Sequence, residues 1–382
     1  MDFAFTEEQT AIQDMALDFA REQIAPHALE WDETGHFPVD VIRQTAELGM
    51  GAIYVPEDHG GSGLKRLDGA IIFEALSYGC PTVAAYISIH NMVAWMVSKY
   101  ASDAQRERWL PKLGTMEWLS SYCLTEPHCG SDAAALTTRA EKRGDTYVLN
   151  GVKQFISGAG TSDFYFVFAR TSDDGARGIS AFAIEKDAPG LGFGANERKM
   201  GWNAQPTRQV ILENCEVPAE NLIGREGEGF RFAMSGLDGG RINIGACSLG
   251  AAWSALDKTR DYIFERKAFG RELASFQAMQ FRVADMASDL DASRLMIWRA
   301  ADALDRADPN ATRYSAMAKR YATDLGFEIC NQALQAHGGY GYLKDYGLEK
   351  LVRDLRVHQI LEGTNEIMRG VVSRSVLGGN RG

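Results

Sequence analysis

The chain has 382 residues, 45% of them hydrophobic and 24% charged, with a formal net charge of −11. At about 150 residues per domain this length holds two or three domains, each able to bury a core. The acidic balance argues against nucleic acid as a partner, because such binding needs basic surface to displace counterions, and no apolar run approaches the roughly 18 residues of a membrane span.

The stretch Met1-Asp2-Phe3-Ala4-Phe5-Thr6 lacks the basic and apolar regions of a secretory signal, and also the Arg-rich character of a mitochondrial presequence. The expectation is a protein of the cytoplasm, or of the mitochondrial matrix if this is a mature form. Thr6 with Gln9 spells a capping box, and Ile12, Met15, Ala16, Phe19 and Ile24 fall on one helical face. Further helices are predicted over 39–48, 67–76 and 88–100, with glycine loops between them. Ser102 and Gln105 spell a second capping box, in a helix that Pro111 should end.

Near Trp118 the pattern changes. Tyr147-Val148-Leu149, Asn150-Gly151 and Val152-Lys153-Gln154-Phe155 read as a hairpin, since Asn-Gly suits a type I′ turn. Residues 164–169, 179–184 and 209–212 read as further short strands of a barrel or sandwich, ending near 224–229. Long helices follow over 242–266, 276–307 and 311–336, and their short connections predict an antiparallel bundle. The fold class is therefore α+β: an N-terminal helical domain (1–118), a middle β-barrel or sandwich domain (119–228) and a C-terminal helical bundle (229–382).

The six cysteines form no Cys-x-x-Cys pair, and no His cluster has metal-ligand spacing. Reduced, mostly buried thiols and no metal are expected. No Walker motif is present, and Gly190-Leu191-Gly192-Phe193-Gly194 lies among strands rather than in a strand-to-helix turn. Because strands and helices do not alternate, a Rossmann fold is disfavoured.

Five segments can carry chemistry, each with a plainer structural alternative. In Tyr122–Asp132, Thr125, Gly130 and Ser131 offer hydrogen bonds to a flavin edge or a pyrophosphate; the segment could equally be a β-turn loop. Phe155-Ile156-Ser157 offers an aromatic face or ordinary sheet packing. Arg266 to Gly270 reads as the basic end of a long helix with a glycine cap. Asp238-Gly239-Gly240-Arg241 reads as the start of the helix at Ile242, either approached by a ligand or a simple loop. Glu362 follows Ile360 and Leu361 and precedes Gly363, so apolar neighbours would make it a base near neutral pH; otherwise it is a surface Glu at a helix end.

Tyr122-Cys123-Leu124-Thr125-Glu126-Pro127, Gln335-Ala336-His337-Gly338-Gly339 and Glu362-Gly363-Thr364 resemble the acyl-CoA dehydrogenase flavoenzymes, and the likeness runs from Thr6 to Arg374. The segments 85–92, 239–244 and 337–346 most resemble the branch that acts on isobutyryl-CoA. The resemblance implies FAD as cofactor, an acyl-CoA substrate, an electron-transferring flavoprotein as acceptor and a homotetramer. It places Tyr122, Cys123, Leu124, Thr125, Gly130, Ser131, Phe155, Ile156 and Ser157 at the flavin, together with Thr364, Asn365 and Glu366. Arg266, Phe269, Phe276, Gln277, Gln335, Ala336, His337, Gly338 and Gly339 would complete the FAD site of a neighbouring subunit. Ser131, Asp238, Arg241, Gly363 and Arg374 would meet substrate. Some members carry their base at the position of Gly240, which leaves Glu362 as the base here. The implied reaction is α,β-dehydrogenation of a short branched acyl-CoA, isobutyryl-CoA first, with 2-methylbutyryl- and butyryl-CoA open and an oxidase as rival.

Overall fold

The computed structural model describes residues 3–378; the outermost residues of the first and last predicted domains lie outside that range. Helices α1 (Glu7–Phe19), α2 (Ala28–Thr34), α3 (Val39–Glu47), α4 (Arg66–Gly79), α5 (Pro81–Tyr100) and α6 (Asp103–Gly114) come first. Both capping boxes form, the Thr6 and Ser102 hydroxyls accepting from the N–H groups of Gln9 and Gln105. A π-helical turn over Ala20–Ile24 extends α1, so that Ala16, Ala20 and Ile24 all reach the core. Met15, expected on that face, is instead 37% exposed, and Leu17 takes the buried place. Pro111 does not end α6, which continues to Gly114 with Thr115 N–H bonded back to the Pro111 carbonyl.

An eight-stranded sheet follows: β1 (Ser120–Cys123), β2 (Arg139–Arg143), β3 (Thr146–Ser157), β4 (Phe164–Arg170), β5 (Ile179–Glu185), β6 (Leu191–Phe193), β7 (Thr207–Pro218) and β8 (Leu222–Ile223). Its order is β6-β7-β3-β2-β4-β5-β8, with β1 parallel to β4. The alternation of β4 divides two cores. Phe164, Phe166 and Phe168 pack towards α5 and α6, whereas Tyr165, Val167 and Ala169 join β3, β5 and β7 in the sheet's own core.

Asn150-Gly151 makes no hairpin. β3 runs straight through it, and the turn lies earlier, at Gly144-Asp145, where Arg143 faces Thr146. Gly151 is needed for close approach, because a Cβ there would overlap the Thr138 hydroxyl. The register of β3 against β7 shifts at this point, and Asn150 Oδ1 accepts from Asn214 N–H (2.8 Å) across the irregularity.

Helices α7 (Gly229–Glu265), α8 (Gln277–Asp305) and α9 (Ala311–Ala336) form the expected bundle, followed by α10 (Leu348–His358) and α11 (Asn365–Val376). α7 begins well before Asp238, so the Asp238–Arg241 segment lies inside a helix rather than at its start. It also ends at Glu265: Lys267–Ala268 (β9) and Arg271–Glu272 (β10) form a small hairpin turning on Phe269-Gly270, with φ 51° and 78°. These positive angles suit the two-residue turn. One hydrophobic core joins α1, α4 and α5 to α7, α8, α9 and α10, so helices distant in sequence pack around the same interior. Among the described residues no helix is long and apolar enough to cross a membrane.

Candidate active site

Glu362 sits in a sharp reversal between α10 and α11. Its φ is 53° and that of Gly363 is 91°. A glutamate in this left-handed region is strained by about 1–3 kcal/mol and persists only where neighbours over-determine it. Here they do. Lys319 Nζ donates to the Gly363 carbonyl (2.8 Å) and to Asn365 Oδ1 (2.9 Å). Arg241 Nε donates to the Glu362 carbonyl (3.3 Å), and Asn365 N–H to the Gln359 carbonyl (3.0 Å). Thr364 caps α11 by accepting from Ile367 N–H (3.3 Å). The plain reading of a surface glutamate with a glycine cap does not hold, because α10 has already ended at His358.

The carboxylate lies over α7 at Gly240, where an added Cβ would overlap Oε2. Glycine inside a helix costs about 1 kcal/mol relative to alanine, and its placement here leaves the space the carboxylate fills. Gly239 likewise makes room for the Arg66 guanidinium, 2.5 Å from where its Cβ would stand. Among the described residues Glu362 Oε2 has no hydrogen-bond partner. Burial pushes this carboxyl up to about 7, against the lowering charges of Lys319 and Arg241. A base raised towards neutral pH in this way suits proton abstraction.

Glu362 opens onto a cavity of about 640 Å³. Its walls bring together Tyr122, Leu124, Thr125, Gly130, Ser131, Phe155, Ile156, Ser157, Arg241 and Gly363, from four separate parts of the chain. Phe155 is not packed away in the sheet: it holds φ 59° and is 63% exposed to the cavity. Cys123 is the exception. Strand alternation turns it into the sheet core, where burial pushes its thiol above the ordinary range. Asp238 does not line the cavity; it holds Arg241 Nη1 (2.7 Å) and accepts from Thr312 (2.6 Å). Thr364 and Asn365 act within the turn, while Glu366 and Arg374 are exposed on α11, outside the cavity wall.

The structure adds wall residues the sequence reading missed, among them Lys199, Trp202, Arg353 and Arg356. Trp202 is fixed from behind. Its Nε1–H donates to His358 Nε2 (3.2 Å), which places the imidazole proton on Nδ1, facing Ser248 Oγ at 2.8 Å. Its backbone N–H donates to Asp354 (2.6 Å), itself paired with Lys350 (2.6 Å). Burial lowers His358 to about 3, so the ring stays neutral. No local motif marks these residues. Lys319 did leave a trace: it falls at helical spacing among Ser315, Ala316, Ala322 and Thr323, a small-residue face where a charge is out of place.

A second cavity, of about 420 Å³, collects Arg266, Gln335, Ala336, His337, Gly338 and Gly339 and shares no wall residue with the first. Tyr262 stacks on His337, with centroids 4.1 Å apart, and Arg266 lies over Tyr340 (5.2 Å). Phe269, Phe276 and Gln277 line neither cavity; Phe269 is 94% exposed at the hairpin tip, and Phe276 and Gln277 start α8.

The cavity fits a flavin. An exposed aromatic face at Phe155 and small residues at Gly130 and Ser131 suit a flat ring with a polar edge, while the Ile156 side chain is buried in the sheet core behind it. The acyl-CoA dehydrogenase N-terminal, middle and C-terminal domains match residues 6–117, 121–215 and 227–377. Mitochondrial isobutyryl-CoA dehydrogenase of Bos taurus is 56% identical over 372 residues, covering 97% of this chain and 89% of its own. That of Dictyostelium discoideum is 55% identical with the same coverage. The structure of butyryl-CoA dehydrogenase from Megasphaera elsdenii superposes with a TM-score of 0.96 at 37% identity, covering 99% of this chain and all of that one. The chain belongs to the acyl-CoA dehydrogenase family of FAD-dependent oxidoreductases.

Proposed function

We propose that this protein dehydrogenates isobutyryl-CoA to methacrylyl-CoA, as in valine breakdown, with Glu362 as the base. The observation that carries the reading is a carboxylate with an unpartnered oxygen, raised to about 7, on the wall of a largely apolar cavity. Glu362 takes the α-proton of the thioester while the β-hydrogen leaves with its electron pair, so the Cα–Cβ double bond forms. Bound FAD supplies the hydride acceptor. A carboxylate is too weak to remove that proton unaided. Hydrogen bonds to the thioester oxygen, given by resemblance to the backbone N–H of Glu362 among others, stabilise enolate charge, and a closed cavity excludes water. Arg241 holds the backbone of the base, and Ser131 stands on the same cavity wall.

Tyr122, Leu124, Thr125, Phe155, Ile156 and Ser157 would hold the flavin ring, with Gly130 and Ser131 towards the phosphates. Arg266 and Gln335 to Gly339, in their separate cavity, would serve a second subunit's FAD, which makes the protein an oligomer, a tetramer by resemblance. Arg266 suits pyrophosphate because its guanidinium forms paired hydrogen bonds. The acceptor of the electrons would be an electron-transferring flavoprotein. The breaks between α6 and β1 and between β8 and α7 support three domains, 1–118, 119–228 and 229–382.

The choice of isobutyryl-CoA rests on the 56% and 55% identical relatives. One methyl group changes discrimination by only about 1–3 kcal/mol, so the test compares substrates directly. Isobutyryl-, 2-methylbutyryl- and butyryl-CoA are titrated anaerobically into the purified protein while the visible flavin band is followed. Bleaching fastest with isobutyryl-CoA is expected. Faster bleaching by either rival reassigns the substrate, and rapid reoxidation of the reduced protein in air makes it an oxidase.

A further inference from the structure

Lys319 is fully buried on α9, yet no carboxylate forms an ion pair with it among the described residues. Its ammonium donates to two uncharged oxygens, the Gly363 carbonyl and Asn365 Oδ1. A buried ammonium without a direct counter-ion is unfavourable unless the site uses its charge. The two acceptors lie immediately after Glu362, on the turn that carries the carboxylate into the cavity. We propose that Lys319 is a positioning residue for Glu362: its ammonium both locks the left-handed turn and supplies the through-space charge that keeps the carboxylate ionised enough to take a proton. This rests on Glu362 being the base.

The surroundings leave this task to few groups. Of the charges facing the pair, Arg241 on α7 is already matched by Asp238, which shares its guanidinium. Asp324 on α9 accepts from Asn365 and pairs with Arg369, and Glu366 on α11 points to solvent. His358 on α10 stays neutral, and Tyr122 and Cys247, which also face Glu362, are held protonated by burial. Lys319 is itself lowered to about 8 by burial, an effect that the Glu362 charge opposes. Each group therefore favours the charged form of the other, with no hydrogen bond to tie up Oε2.

Three variants of the FAD-loaded protein separate clamp from charge. K319Q keeps donor groups without charge, K319R keeps the charge, and K319M loses both and is dispensable if it fails to fold. Titration of the Glu362 carboxyl by infrared difference spectroscopy, with E362Q identifying the band, is read beside the pH profile of flavin reduction. In K319Q and K319M both midpoints should move upward. For each pH unit that they move, reduction should slow about tenfold at pH values below the parental midpoint. K319R should keep the parental midpoint. An unmoved carboxyl titration in K319Q would overturn the proposal whatever happened to the rate, as would a K319R midpoint displaced as far as that of K319Q. An E362Q protein reducing its flavin at the parental rate would instead overturn the base assignment, so the two failures are told apart.

Discussion

Two carboxylates, the buried Glu126 and the half-buried Glu362 with its enclosed Oε2, have been given opposite surroundings. Glu126, 3% exposed after β1, has both oxygens engaged: Oε1 with Lys153 Nζ (2.7 Å) and Thr138 N–H (3.0 Å), Oε2 with Thr137 N–H (2.7 Å) and its hydroxyl (3.1 Å). Burial alone would raise it, but Lys153 and these hydrogen bonds outweigh that and hold it at about 2. Glu362 has an empty oxygen and two more distant cations, and burial wins. Burial by itself therefore does not predict reactivity; the number of satisfied lone pairs does. Glu126, His128 and Cys129 also bring donor atoms within 4.8 Å of one another, a grouping the spacing of the sequence did not suggest. With the carboxylate already engaged, this geometry is that of a structural ion pair.

The sharpest break in the comparison is in what each carboxylate supports. Glu362→Gln should slow flavin reduction by about 10²–10⁴-fold, the usual worth of a general base, with FAD still bound in the absorbance spectrum. Glu126→Gln should leave Lys153 buried and unmatched, and lower stability by about 3–5 kcal/mol in denaturant titration; a Glu126→Leu, Lys153→Met double variant should recover much of it. Gly240→Ala should displace the Glu362 carboxylate and slow reduction by about 10²-fold, since misplacement near 1 Å can have that effect, while thermal stability stays level. Gly151→Ala, outside the cavity wall, should destabilise by about 1–3 kcal/mol through overlap with Thr138 and leave the pH profile of reduction unchanged.

The smallest effect is on the pH dependence of folding, and the two groups contribute with opposite sign. Glu362 has a folded value above its ordinary 4.5, so its contribution is most favourable below 4.5 and is lost as pH rises through about 7. Glu126 is depressed, so its contribution is present above 4.5 and is lost as pH falls through about 2. The melting temperature of Glu362→Gln relative to the parent should therefore be higher at pH 8 than at pH 5. An equal difference at both would show that Glu362 is not raised in the folded protein.

Much of the architecture was legible because it is set locally. The capping boxes at Thr6 and Ser102 form as spelled, and α9 spans the residues its period marks, since caps and apolar periodicity act within a few residues. The failures share a cause. Asn150-Gly151 looked like a turn, and Gly239-Gly240 like a loop, but their glycines answer to Thr138, Arg66 and Glu362, which are near only after folding. The true tight turn at Phe269-Gly270 was hidden because phenylalanine does not advertise positive φ.

The sequence by itself determined the α, β, α order, the glutamate with its family motif and part of the wall of the first cavity. Tertiary structure decided which of them face it, turning Cys123 away and Phe155 towards it, and it alone brought Lys319, Trp202 and the orphaned Glu362 oxygen together. The division follows from range. Caps and periodicity operate along the chain, whereas desolvation and charge act through space between residues as far apart as Gly240 and Glu362.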